Sequence, residues 1–298
     1  MNKIYCVYHK NCLDGMASAT VVERWSEENC EVPYEFIRVP MDYGDELPEA
    51  EEGSLLFVVD FSISVEQIII MESKAIGVRM FDHHISSINK YNGDCLLYDY
   101  SPGFTTEVIL DTTRSGCQIT WDTLYPNLPR PPYVKYIGDR DLWLFEHENT
   151  ESYCRALVCG IDRPKVWDQL LSLTEESLVE SGTSLLADDA TKISWHLQNT
   201  VRMASVEPGL NIMFCNVPRY LTSEHNNTLL KSLSTKPNKL VRTDIVASYY
   251  DTKDHRVIRF NSLKGGPDVS EIAERLGGGG HVNSASVKVP RTHLLAKL

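Results

Sequence analysis

Four short clusters of acidic and imidazole side chains punctuate the first half of the chain, and each follows an apolar run. His9 precedes Asp14 in His9-Lys10-Asn11-Cys12-Leu13-Asp14-Gly15. Asp60 closes Val58-Val59-Asp60, and Phe81 runs into Asp82-His83-His84. Asp139 and Asp141 lie in Ile137-Gly138-Asp139-Arg140-Asp141-Leu142-Trp143. Oxygen and imidazole donors in this mixture suit divalent cations, Mn2+ ahead of Mg2+ where imidazoles take part. A pair of such ions needs several carboxylates, one of them bridging, and together they lower the pKa of a shared water and offset charge on a phosphoryl group. Taken singly, each cluster has a commonplace reading: an Asp after a strand caps or turns the chain, and paired histidines pack or face solvent. The ordered set of four is far more specific.

Such groups converge only if the apolar runs before them lie side by side. Residues 3–8, 34–39, 54–59, 76–81 and 94–98 read as strands, and 14–25 reads as a helix. Alternating strands and helices predict a parallel α/β sheet with crossovers on its faces, and ligands of such sheets collect at the carboxyl ends of the strands. From Ser115 the pattern turns helical, over 116–124, 134–137, 166–173 and a long stretch at 184–204, with Cys117, Trp121 and Trp143 as core residues. Pro208-Gly209 breaks that last helix and sets a domain boundary after residue 206. Beyond it, strands at 211–216, 245–250, 257–261 and 285–289 and helices at 223–233 and 269–276 predict a smaller α/β domain. Residues 234–238 read as a surface loop, and no internal repeat or low-complexity segment is evident.

Composition narrows the setting. The chain has 298 residues, 42% of them hydrophobic, enough for one large or two smaller cores. No run approaches the roughly 20 apolar residues of a membrane span. Cys6, Cys12, Cys30, Cys95, Cys117, Cys154, Cys159 and Cys215 form no CxxC pair or regular framework, which predicts reduced thiols in the cytoplasm. The net charge of −12 argues against tracking along duplex DNA. That charge is uneven: basic side chains outnumber acidic ones after residue 206, and the acidic excess lies before it. An acidic part suits cations and a basic part suits an anionic substrate.

With these motifs in order, the chain resembles the DHH phosphoesterase superfamily. Asp82-His83-His84 matches its name-giving motif, His9 with Asp14-Gly15-Met16-Ala17-Ser18-Ala19 resembles the first motif, Asp60 the second and Asp139 the fourth. Leu276-Gly277-Gly278-Gly279-Gly280-His281 is similar to the signature of the companion DHHA1 substrate-binding domain. The likeness is strongest to the oligoribonuclease and cyclic-nucleotide phosphodiesterase branch. It implies a pair of Mn2+ ions, or Mg2+, bridged by Asp60, with His9 on one side and Asp14, His83 and Asp139 toward the other; of Asp139 and Asp141, whichever is not the ligand pairs with Arg140 or caps a turn. Asp60 and His84 would be catalytic, with His84 near the leaving oxygen or orienting a ligand.

Two positions depart from the family pattern. Cys12 stands where many relatives carry an aspartate, and is either a soft metal ligand or a bystander. Asn261 stands where an arginine is usual, with Arg259 two positions earlier on the same strand face. Substrate is expected on Arg259, Gly278, Gly279, Gly280 and His281, the glycines letting the backbone approach a phosphate. The expected protein is a two-domain α/β hydrolase: an N-terminal parallel-sheet metal domain with a helical extension, residues 1–206, and an α/β substrate-binding lid, residues 207–298, with the active site between them. Its expected partners are short oligonucleotides, dinucleotides or cyclic nucleotides, with no long duplex DNA and no membrane. A pyrophosphatase or exopolyphosphatase, and a protein that sequesters nucleotides without cleaving them, are the alternatives.

Overall fold

The computed structural model describes residues 2–42, 44–103, 105–207, 210–234 and 244–297. The chain divides into two compact units, Met1–Leu186 and Ala187–Leu298.

The first unit is built from β1 (Asn2–His9), α1 (Leu13–Asn29), β2 (Tyr34–Met41), β3 (Leu55–Val59), α2 (Val65–Glu72), β4 (Gly77–Asp82), α3 (Ile85–Tyr98), β5 (Thr106–Leu110), α4 (Gly116–Leu124), α5 (Pro132–Asp141), α6 (Thr150–Leu157) and α7 (Pro164–Leu171). Its five strands form a parallel sheet in the order β2-β1-β3-β4-β5. The central strands are apolar on both faces. Ile4, Cys6, Tyr8, Phe57, Val59 and Phe81 enter one core, with Met16 and Val22 of α1, Ile119 of α4 and Ile137 of α5. Tyr5, Val7, Leu56, Val58, Val78 and Met80 enter the other, under Val65 and Ile68 of α2 and Tyr91 of α3. A strand covered on both faces reads as an unbroken hydrophobic run, which is why β1, β3 and β4 were legible without alternation.

The ladder registers matter most for function. Tyr8 lies opposite Val59, and Val59 opposite Phe81. The next residue on each of these three neighbouring strands is therefore His9, Asp60 and Asp82, all at the carboxyl edge of one sheet.

A helix, α8 (Glu175–Asn199), carries the chain into the second unit, which adds β6 (Arg202–Glu207), β7 (Leu210–Asn216), α9 (Thr222–Ser234), β8 (Ile245–Asp251), β9 (His255–Ser262), α10 (Val269–Arg275), β10 (Gly279–His281) and β11 (Ser284–Pro290). The six-stranded sheet runs β10-β11-β9-β8-β7-β6, antiparallel except for the parallel pair β7–β8. Phe214, Ala247, Ile258, Phe260 and Val287 share a core with Val269 and Ile272 of α10, while Leu229 and Leu230 of α9 pack with Val246.

Several expectations give way. Residues 94–98 close helix α3 instead of forming a strand, because five residues of mixed polarity cannot tell a helix end from a strand. The fifth strand, β5, comes from residues with no sequence signal beyond a short apolar run. Residues 184–204 are not one helix: α8 ends at Asn199, and Arg202–Glu207 pairs with β7. The compact division falls inside α8, whose Ile193 and Leu197 pack, with Val201, against Cys215, Val217 and Leu221 of the second unit. Pro208, Gly209 and residues 235–238 lie outside the described residues. Cys117 and Trp121 are core, but Trp143 is exposed. Among the described residues, no helix is long and apolar enough to cross a membrane.

Phe57 sits fully buried at the centre of β3. Phe57→Ala should lower unfolding stability by about 3–5 kcal/mol, whereas Leu97→Ala at the exposed end of α3 should change it by less than about 0.5 kcal/mol. Denaturant midpoints at constant slope check the contrast.

Candidate metal centre

The edge of the parallel sheet is shaped by backbone conformations that ordinary residues avoid. Asp60 has φ 50° and Asn11 φ 58°, both left-handed. The Asp60 amide donates to Phe81 O at 2.9 Å, so the turn out of β3 is held by β4. The Asn11 amide donates to Asp162 Oδ2 at 2.6 Å, and Lys10 N–H to Met41 O at 2.9 Å, fixing the loop between His9 and Cys12. Two glycines permit the close packing around it. A Cβ on Gly15 would lie 2.3 Å from the His9 carbonyl oxygen, and one on Gly116 2.5 Å from Asp60 Cβ.

Within this frame, one imidazole nitrogen faces three carboxylates. His83 Nε2 lies 3.2 Å from Asp60 Oδ1, 3.4 Å from Asp141 Oδ2 and 3.7 Å from Asp14 Oδ2. On the other side of Asp60, His9 Nδ1 lies 3.6 Å from Oδ2. His9, Cys12 and Asp60 form one group whose donor atoms all lie within 4.8 Å of one another, and Asp14, His83 and Asp141 form another, with Asp60 also grouped with Asp82, His83 and His84. Asp60 thus stands between two sets of donors.

The acids divide by how they are satisfied. Asp14 is fully buried, yet its carboxylate accepts from Ser115 Oγ at 2.9 Å and from the amides of Gly116 and Cys117 at 2.6 and 3.0 Å. It occupies the positive end of α4, whose first amides have no partner inside the helix. Asp82 Oδ1 accepts from the amides of His83 and His84, and its Oδ2 from Ser62 Oγ. Asp139 accepts from the amides of Glu146 and His147 at 2.9 and 3.2 Å and from the Thr150 hydroxyl. By contrast, both carboxylate oxygens of Asp60 and Oδ2 of Asp141 are buried with no backbone amide or hydroxyl donating to them, and only imidazoles face them. Carboxylate oxygens left so are costly, and a cation accounts for them. The donors therefore fit divalent metal ions.

The titration of these groups follows from their crowding. Burial pushes Asp14 up to about 8, with the charges of Asp60 and Asp141 adding to the shift. Burial also works against the charge on Asp60, but His83, His9 and His84 outweigh it and hold Asp60 well below the usual carboxylate range. His83 loses hydration yet is raised to about 10 by Asp60, Asp141 and Asp14. Its proton supplies, in part, the positive charge that a metal would bring. His84 is likewise raised above its ordinary value, its desolvation offset by Asp82, whose Oδ1 lies 2.7 Å from His84 Nδ1. Burial and the surrounding carboxylates push the Cys12 thiol well up, and Cys12 contributes no side-chain cap to α1.

Of the residues expected from sequence, the structure brings together His9, Cys12, Asp14, Asp60, His83 and His84. It leaves Asp139 out and puts Asp141 in its place. Both are on α5, where residues two apart point to nearly opposite sides; Asp139 turns toward 146–150 and Asp141 toward His83. Sequence reasoning also passed over Asp82 as the group that holds His84, and Ser115–Cys117 as the seat of Asp14. The Ser115-x-x-Gln118 capping box was the available signal for that helix start.

In the second unit, Gly279, Ser286 and Arg259 lie opposite one another across β10, β11 and β9, as do His281, Ser284 and Asn261 one step along. Arg259, Gly279 and His281 therefore share a sheet face, and Arg259 Nη1 donates to Ser223 Oγ at 2.5 Å. The glycine run is not a free anion cradle. Gly277 and Gly278 donate their amides to Glu274 O and Ala273 O, closing α10. A Cβ on Gly278 would lie 2.1 Å from Ser286 O, and one on Gly280 2.6 Å from Ala285 Cα. Close strand packing accounts for those glycines, and Gly279–His281 pairs as strand β10.

A comparison with protein-family models finds no match. The chain is 21% identical, over 94% of its length, to uncharacterized protein R106 of Acanthamoeba polyphaga mimivirus, and spans 66% of that relative. Among solved structures it is similar to a pGpG-specific phosphodiesterase, PggH, of Vibrio cholerae, with 14% identity, coverage of 97% of this chain and 94% of that one, and a TM-score of 0.44. It is also similar to an exopolyphosphatase-related protein of Bacteroides fragilis, with 12% identity, coverage of 96% and 86%, and a TM-score of 0.48. At such identities and TM-scores neither protein's substrate transfers to this chain.

Two outcomes follow from the geometry. Asp141→Ala should lower bound Mn2+ measured by elemental analysis. Asp139→Ala should keep the metal but destabilise the protein by about 1–3 kcal/mol through the stranded 146–150 donors. Retention of full metal content in Asp141→Ala would refute its placement as a ligand. The second concerns pH. Asp14 and His83 both bind protons more tightly folded than unfolded, so raising pH strips protons that favour the fold. Metal-free protein should lose stability as pH rises from about 4 to about 10, and its melting temperature should be lower at pH 9 than at pH 6.5. Saturating Mn2+ should shrink that difference, because metal binding takes the deprotonated ligands.

Proposed function

We propose that the chain is a metal-dependent phosphoesterase cleaving phosphodiester bonds in short oligonucleotides, dinucleotides or cyclic nucleotides. The observation that carries this reading is Asp60: buried, with no amide or hydroxyl donor, faced only by imidazoles, and between two groups of metal-ligating side chains. His9, Asp14, Asp60, His83 and Asp141, with Cys12 in reach, would hold a pair of Mn2+ or Mg2+ ions. When bound, such ions neutralise charge on a phosphoryl group and lower the pKa of a water.

The remaining roles belong to side chains. Asp82 fixes the His84 ring through Nδ1, and its charge favours the imidazolium, which suits His84 to donate a proton to a leaving oxygen. Asp14 is held by Ser115 Oγ and the α4 amides, which leave one lone pair on Oδ2 to point in a constant direction. In the second unit, Arg259 and His281 are proposed to bind substrate, Arg259 by the planar donor geometry that matches phosphate. Gly279 and Gly280 would let substrate approach the strand edge. All eight cysteines are free, in keeping with a cytoplasmic location.

The test is a hydrolysis panel with Mn2+: linear dinucleotides, cyclic nucleotides, a 20-mer and pyrophosphate. Mononucleotide release from the short substrates is expected, with kcat/KM falling about 100-fold or more in Asp60→Ala and strongly in His281→Ala with metal content kept. Phosphate release from pyrophosphate, with dinucleotides intact, would replace this reading by a pyrophosphatase.

A further inference from the structure

Just beyond Asp141, the backbone takes a course that its side chains oppose. Trp143 and Phe145 have φ 57° and 53°. Bulky aromatic residues very seldom enter this left-handed region. The loop is nonetheless firmly built. The Asp139 carboxylate gathers the amides of Glu146 and His147 and the Thr150 hydroxyl. The Asp139 carbonyl accepts the Leu144 amide, and the Arg140 carbonyl the Trp143 amide, each at 3.0 Å.

That construction drives apolar side chains outward. Trp143 is 44% and Leu144 46% exposed. The Trp143 and Phe145 rings meet edge-to-face, with centroids 4.9 Å apart and planes at 80°. An exposed indole on a strained backbone, backed by a half-buried Phe145, does not serve a core, and strain of this kind gathers where ligands are held. The location is specific as well: Asp141 Oδ2 lies 3.4 Å from His83 Nε2 in the metal centre. Trp143 is two residues on, so its Cα lies within about 7.6 Å of that of Asp141.

We propose that Trp143, braced at its edge by Phe145, is a stacking platform for a nucleobase of the substrate. This rests on the phosphoesterase reading, since it requires a phosphate anchored at the centre while the attached base reaches the indole. An indole face attracts any base, because every base has a π face. The platform therefore recognises the presence of a base more than its identity. Phe145 limits rotation of the indole, and Asp139 is a positioning residue that acts through the loop.

The experiment measures affinity of Mn2+-loaded protein for AMP and for ribose 5-phosphate by calorimetry. The two probes share sugar and phosphate and differ in the base. Wild type should bind AMP about tenfold or more tightly than ribose 5-phosphate, in line with the affinity of base–aromatic stacking. Trp143→Ala should equalise the two, leaving ribose 5-phosphate binding and metal content unchanged, and Trp143→Tyr should restore most of the preference. Because Trp143 is exposed, loss of folding is not expected, and a melting curve checks it. An unchanged preference in Trp143→Ala overturns the proposal, as does a wild type that fails to distinguish the probes or binds neither. The two readings separate cleanly: base preference lost in Trp143→Ala without turnover of any nucleotide on the panel sinks the phosphoesterase reading alone, and turnover with the preference intact sinks the platform alone.

Discussion

Three carboxylates gathered around one imidazole, inside a folded protein, set the terms for the first unit. Asp14, Asp60 and Asp141 all approach His83 Nε2 within 3.7 Å. Like charges so placed repel strongly where water cannot screen them, and such an arrangement persists only if positive charge is supplied. The imidazoles supply part of it. The first amides of α4 supply more, by pointing at Asp14. The remaining deficit falls on Asp60 and Asp141, whose buried oxygens have no amide or hydroxyl donor, and that deficit is the physical case for cations.

Holding such a cluster together demands stiffness in its surroundings. Parallel pairing delivers His9, Asp60 and Asp82 in line from adjacent strands, and hydrophobic cores on both faces keep those strands from shifting register. Left-handed turns at Asn11 and Asp60 then aim the side chains, and glycines at 15 and 116 allow helices to close on them. A single methyl group at either glycine would have to push the backbone of a strand end or the Asp60 side chain aside. The cost of strain and repulsion at the centre is carried by burial elsewhere in the sheet.

The acids outside the cluster show how one residue type takes unlike roles through its donors. Asp82 and Asp139 are as buried as Asp60, but each is filled by amides and a hydroxyl, so each organises its neighbours instead of awaiting an ion. Asp82 orients His84, and Asp139 shapes the loop that presents Trp143. In the second unit the same contrast appears in the glycines: amides of Gly277 and Gly278 finish a helix, while Arg259 and His281 are carried on the face of a sheet.

Much of this was legible in the residue order. Apolar runs ending in His9, Asp60 and Asp82-His83-His84 determined by themselves that a parallel α/β sheet would carry polar groups at its carboxyl edge, since strands buried on both faces need such runs and their ends alone can be polar. The donor types likewise determined the class of ligand. Tertiary structure decided what depends on direction and on distant partners. The choice of Asp141 over Asp139 rests on which side of α5 faces the sheet, and no local pattern encodes that. The seat of Asp14 lies about a hundred residues away at Ser115–Cys117, and the strand nature of 202–207 and 279–281 exists only through pairing with β7 and β11. Trp143 had the composition of a core residue, and it is exposed because hydrogen bonds to Asp139 and Arg140 bend the chain outward there.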